Sequence, residues 1–187
     1  MEIAEEIKAC PESGARRLIA GYGDRLYDTA FRICQNETCA LDLVNRTLLR
    51  AVERIDLFSG HSSMYTWLYS ILTNFWRMEL RKRKSDRLIF AEEVPDCPDG
   101  EPDPCEILVK KDDSERIRVA VGQLPEHYRA VVVFRYFEDM SVPEIARVLG
   151  IPEGTVKFRL HKAKAIMRRK LMQTVGAAPA SKEKEEE

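Results

Sequence analysis

Residues 141–164, SVPEIARVLGIPEGTVKFRLHKAK, decide how this chain is read. Ser141 stands where a helix N-cap belongs, and Glu144, three residues on, completes a capping box with it. Pro143 sits in the first turn, where a missing N–H costs little. Ala146, Gly150 and Val156 mark the tight places of a helix-turn-helix: a small residue where two helices cross, a glycine for the turn and a β-branched apolar plug. The second helix then carries Lys157, Arg159, Lys162 and Lys164, a cationic face suited to phosphates and base edges in a major groove. The motif predicts a DNA reader and leaves open what is done with the DNA.

Outward from this motif, the 187 residues suit two small domains better than one large core. Thirty basic and 31 acidic residues nearly cancel, for a net charge of -1, but the charges are segregated. Basic residues gather at Arg77, Arg81, Lys82, Arg83, Lys84 and Arg87, and again from Lys157 to Lys170; acids gather from Glu92 to Glu106 and from Glu183 to Glu187. Two basic patches separated by an acidic stretch predict two DNA contacts joined by a segment that avoids DNA.

The acidic N-terminus lacks a signal-like apolar core, and no apolar run approaches membrane-spanning length. A soluble, cytoplasmic protein without membrane insertion is expected. Five cysteines without a CxxC pair suggest reduced, structural thiols, with redox control through Cys97 and Cys105 as the alternative. His61, His127 and His161 are dispersed, no nucleophile motif or metal-ligand spacing occurs, and neither an enzyme nor a cofactor is expected.

Helical periodicity marks three stripes in the first half: Leu18, Ile19, Tyr22, Leu26, Ala30 and Ile33; then Leu41, Val44, Leu48, Val52 and Ile55; then Trp67, Leu68, Ile71, Leu72, Phe75 and Met78. The polar break Gln35-Asn36-Glu37 separates the first two. Pro95, Pro98, Pro102 and Pro104 interrupt an acidic stretch that reads as an extended linker, with a reach of roughly 70 Å when fully stretched. Beyond it come a helix from about Ile107 to Val121, one opened by Pro125 that buries Val131, Val132 and Phe134, and the helix-turn-helix pair. The predicted fold is all-α: an N-terminal extension (1–12), a helix bundle (13–86), an acidic Pro-rich linker (87–106), a helix-turn-helix domain (107–173) and a charged, disordered tail (174–187).

These segments combine into a wider pattern. Leu26-Tyr27, Asp42-Leu43-Val44, residues 58–69 (FSGHSSMYTWLY), Asn74, the basic run Arg81 to Lys84, Leu124-Pro125 and residues 150–157 (GIPEGTVK) stand in this order and spacing. Together they resemble the extracytoplasmic-function, group IV, sigma factors of bacterial RNA polymerase. The resemblance implies a sigma-2-like first domain that binds the polymerase clamp and opens the -10 promoter element, and a sigma-4-like second domain that binds the flap and reads the -35 element. Core RNA polymerase and promoter DNA are the implied partners, with an anti-sigma factor as the implied regulator.

Carried onto this chain, the resemblance points to Phe58, His61, Ser62, Tyr65 and Asn74 for a flipped base of the -10 element, and to Arg77, Arg81 and Lys84 for its backbone. Flipping a base costs a few kcal/mol that stacking and edge hydrogen bonds must offset. The alternative is that Phe58 and Tyr65 cap the bundle core while His61 is merely exposed; Trp67 reads mainly as core. Thr155, Lys157, Phe158, Arg159 and Lys162 are the -35 candidates. Asp42, Val44, Asn45 and Leu48 are the clamp candidates.

Two positions depart from the family pattern. Phe158 replaces a common serine, so it either packs on a thymine methyl or turns inward against the flap-side surface. Asn45-Arg46 replaces the usual Gln-Glu; either Arg46 points away from the clamp or the partner compensates. A decoy that binds an anti-sigma factor without directing transcription is the rival reading, weakened by the retained basic patches. An ordinary helix-turn-helix regulator would not need the first domain's pattern.

Overall fold

The computed structural model describes residues 2–85 and 114–175. The linker at 87–106, Cys97 and Cys105 within it, and nearly all of the tail at 174–187 lie outside the described residues. Eight α-helices and one short 3-10 turn make up the described fold, with no strand among the described residues. They are α1 (Glu2–Ala9), α2 (Pro11–Cys34), α3 (Glu37–Glu53), the 3-10 turn Ile55–Leu57, α4 (Met64–Ser85), α5 (Ser114–Gly122), α6 (Glu126–Tyr136), α7 (Val142–Leu149) and α8 (Glu153–Val175).

The polar break at residue 35 works as a tight helix hairpin. Gln35 takes the left-handed conformation (φ 54°) and its N–H donates to the Phe31 carbonyl, closing α2. Asn36 opens α3 one residue later, its side chain accepting from the Cys39 N–H at 2.8 Å. Antiparallel α2 and α3 then bury Leu18, Leu26, Ala30, Ile33, Leu43, Val44, Leu48 and Ala51 against Leu68, Tyr69, Leu72 and Trp76 of α4.

The predicted stripes need correction at their edges. Ile19, Leu41 and Met78 are exposed, whereas Tyr69 and Trp76, outside the predicted stripe, are buried. The N-terminal extension is largely a helix: Ile7 of α1 is buried, and Gly14 lets α1 approach α2 so closely that a Cβ there would lie 2.5 Å from the Ile7 backbone.

In the second half α6 buries an uninterrupted run, Arg129 through Phe134, because neighbours cover it on all sides. α7 and α8 pack on one flank and α2 on another, while α7 also rests on α4. Arg46 of α3 turns toward α4, donating to Glu79 at 3.1 Å and to Asp42 at 3.1 Å. The side chain is thus engaged within the bundle.

Candidate nucleic-acid interface

The helix-turn-helix is built as its sequence demands. The Glu144 carboxylate accepts from both the N–H and the hydroxyl of Ser141, at 2.9 and 2.7 Å, and these bonds hold its carboxyl below the usual range. Gly150 ends α7 at φ 60° and ψ 42°, a left-handed cap. Val156 is fully buried and Ala146 nearly so. Along α8, Lys157 and Lys162 are exposed and Thr155, Phe158 and Arg159 are half-buried. Lys162 places its ammonium 5.6 Å from the centre of the Phe158 ring. Phe158 thus shares a helix face with an exposed cation one turn away and is not swallowed by the core.

In the first half, the loop from Phe58 to Ser63 closes a cleft of about 410 Å³ with α1 and α2; Ile3, Arg17, Tyr22, Phe58, Gly60, Ser62, Ser63 and Met64 line it. Ser63 fixes the loop to α4, its Oγ accepting from the Thr66 N–H at 3.1 Å. Phe58 packs on Trp67 with ring centres 5.3 Å apart. Gly60 takes φ 75°, putting the loop tip and the exposed His61 outward.

Of the -10 candidates, Phe58 and Ser62 line this cleft; His61, Tyr65 and Asn74 do not. Tyr65 is enclosed by aromatic neighbours: its ring is 4.6 Å from that of Tyr22 and 6.0 Å from that of Tyr69, the Arg25 guanidinium lies 4.4 Å above it, and its hydroxyl donates to the Gly21 carbonyl at 3.2 Å. Asn74 is exposed on α4, ten residues or about 15 Å beyond the helix start. Arg77 donates to the Leu149 carbonyl at 3.2 Å, across the helix-turn-helix turn, and Arg81 is exposed. The Lys84 side chain lies outside the described residues.

Ile3, Arg17 and Tyr22 are cleft residues that the sequence reading missed. Tyr22 was legible only as part of an apolar stripe, and Ile3 lies in a segment with no motif. The clamp candidates divide as well. Asp42 and Asn45 are exposed, but Val44 and Leu48 are 6% and 8% exposed and belong to the core, whereas Leu41 and Leu49 stand 47% and 63% exposed on the outer face of α3.

Comparisons with known proteins agree with this architecture. The sigma-70 region 2 model matches residues 18–86, and the sigma-70 region 4 model matches residues 114–167. The ECF RNA polymerase sigma factor SigW of Bacillus subtilis (strain 168) is 30% identical over 176 residues, covering 89% of this chain and 94% of that protein. The ECF sigma factor RpoE of Cereibacter sphaeroides is 32% identical over 130 residues, covering 69% of this chain and 68% of that one.

Among solved structures, the sigma factor RpoE in complex with the anti-sigma factor NepR from Bartonella quintana shares the fold at a TM-score of 0.61 and 24% identity, covering 84% of this chain and 96% of that one. CnrH in complex with the cytosolic domain of CnrY does so at 0.62 and 24%, covering 91% and 96%. The chain belongs to the extracytoplasmic-function branch of the sigma-70 family. Members of that family are non-enzymatic factors for promoter-specific transcription initiation. No described helix is long and apolar enough to cross a membrane.

Proposed function

We propose that this chain binds core RNA polymerase and reads a promoter at two points. Residues 13–86 serve as the domain that docks on the clamp and opens the -10 element, and residues 107–173 as the domain that docks on the flap and reads the -35 element. The observation that carries the reading is the presence, in one chain, of a cationic helix-turn-helix and a separate aromatic cleft large enough for a nucleobase. A base drawn from the stack loses stacking energy, and Phe58 and Tyr22 supply aromatic surface to restore it while Ser62 and Ser63 offer edge hydrogen bonds.

The exposed His61, Asn74 and Arg81, together with Lys84, are assigned to the same promoter element. Tyr65 acts by holding Tyr22 in place. Thr155, Lys157, Phe158, Arg159 and Lys162 are assigned to the major groove. On α3 the clamp contact is reassigned to Leu41, Asp42, Asn45 and Leu49, because a buried side chain cannot also meet a partner.

An anti-sigma partner is the expected regulator, since a solved structure of the same fold is that of the sigma factor RpoE in complex with the anti-sigma factor NepR. The decoy reading is disfavoured by the intact cationic surface of α8. Run-off transcription from a fragmented genomic library, with core polymerase plus and minus this chain, tests the proposal. New start sites that depend on the chain support it, and an active core enzyme giving none would put the decoy reading ahead.

A further inference from the structure

The turn between α6 and α7 carries a carboxylate that is buried in the other half of the molecule. The Glu138 side chain is 2% exposed. It accepts from Arg25 Nε at 2.8 Å, from Thr29 Oγ1 at 2.6 Å and from the Tyr69 hydroxyl, three donors that all belong to α2 and α4. Burial, and next Glu138 beside it, push the Tyr69 hydroxyl well above its ordinary range, so it stays a donor at any working pH.

Polar contacts of the same kind surround this point. Thr73 Oγ1 donates to the Val148 carbonyl at 2.6 Å, and Arg77 Nη1 donates to that of Leu149. Both carbonyls are at the C-terminus of α7, where the helix has no N–H donors of its own left to offer them. Arg129 of α6 donates through Nε to the Ile33 carbonyl at 2.8 Å and through Nη1 to that of Gly122 at 2.6 Å. Phe134 meets Tyr69 at 5.4 Å, and the Arg32 guanidinium sits 4.8 Å from the Phe137 ring centre.

The turn of the helix-turn-helix is therefore seated on α4, and it occupies Arg77, a residue assigned above to promoter DNA. Elements named -10 and -35 are about 25 base pairs apart, or about 85 Å along B-DNA. Two surfaces held against one another cannot reach both. The 28 residues from 86 to 113 have a maximal covalent span of about 95 Å, so the halves can part without unfolding.

We propose that this compact arrangement is a self-inhibited state latched by Glu138, and that engaging polymerase requires the latch to open. Resting on the two-point reading, the proposal makes a separate prediction: the latch governs the shape of the free chain. It is a pairing of charges across the interface, and a charge swap tests it. Full-length wild type, Arg25→Glu, Glu138→Arg and the double variant are compared by small-angle X-ray scattering and by competition binding to bacterial core RNA polymerase.

The wild type and the double variant should be compact. Each single variant should keep its helical circular dichroism yet expand by about 5 Å in radius of gyration, the difference between one packed body and two parted ones. Apparent affinity for core should rise on the order of tenfold in the singles, because a larger fraction is competent, and return in the double. If Glu138→Arg loses helical signal, Arg25→Glu, whose side chain is 47% exposed, carries the test with the double. Equal radii in all four chains, or a double as expanded as the singles, would overturn the latch; so would expanded singles that bind core no better. Failure of all four to bind core counts against the transcription reading, and scattering still decides the latch.

Discussion

The guanidinium of Arg46 on α3 lies 4.4 Å above the ring of Phe75 on α4 while donating to Glu79 on the same helix at 3.1 Å. The stacking of its planar face on Phe75 and its contact with Glu79 pin α3 to α4, while Asp42, four residues back on α3 itself, holds the guanidinium in place. The charge contacts hold the guanidinium above its usual pKa, the Asp42 hydrogen bond being the largest cause. Restoring the glutamate common in the family would set three carboxylates together.

Arg46→Glu is therefore expected to cost about 1–2 kcal/mol, the sum of two exposed ion pairs and one cation–π contact. For a chain of this size that lowers the melting temperature by about 3–6 °C. Thermal unfolding followed by circular dichroism checks it, and an unchanged midpoint would mean the pin contributes nothing.

Two glycines in α2 should respond to the same substitution with opposite signs. A Cβ at Gly14 meets the Ile7 backbone at 2.5 Å, whereas one at Gly21 meets nothing within 4 Å. Gly14→Ala is expected to destabilise by about 1–3 kcal/mol through displacement of α1. Gly21→Ala is expected to stabilise by about 0.5–1 kcal/mol, the ordinary helix gain over glycine. Paired denaturant titrations decide the matter, and the same sign for both would contradict the α1–α2 contact.

Glu144 gives a pH-dependent prediction. Its hydrogen bonds from Ser141 hold its carboxyl below the ordinary value of 4.5, so the folded state favours the ionised form. The resulting stability is fully present above pH 4.5 and is lost as pH falls through the lowered folded value. Glu144→Gln should melt about 1–3 °C below wild type at pH 7, for about 0.5–1 kcal/mol at a helix N-terminus. The gap should close in acid. A gap that persisted unchanged at pH 3 would assign the effect to packing.

Much of the fold was legible because helical periodicity, the Gln35-Asn36 break and the capping box are local signals. Ile19, Leu41 and Met78 were misplaced because each borders an apolar stripe, where one residue's rotation separates core from surface. Helix α1 escaped because eight residues give too few turns to show a stripe. The contact between the halves left no periodic trace at all: Thr73, Arg77, Arg129 and Glu138 are polar residues whose hydrogen bonds join the halves across long sequence separations. Similarly, the cleft draws Ile3, Arg17 and Tyr22 from helices that precede its loop.

The central claim is that one chain reads two separated DNA elements with two different surfaces. Start-site mapping on a randomised promoter library, with core polymerase and wild type, Phe158→Ser or Ser62→Ala, tests it most directly. Phe158→Ser should change base preference in the upstream block alone, since an apolar ring on a thymine methyl is exchanged for a hydroxyl. Ser62→Ala should change preference in the downstream block alone. If both variants altered the same block, or neither altered any, the two-surface account would be wrong.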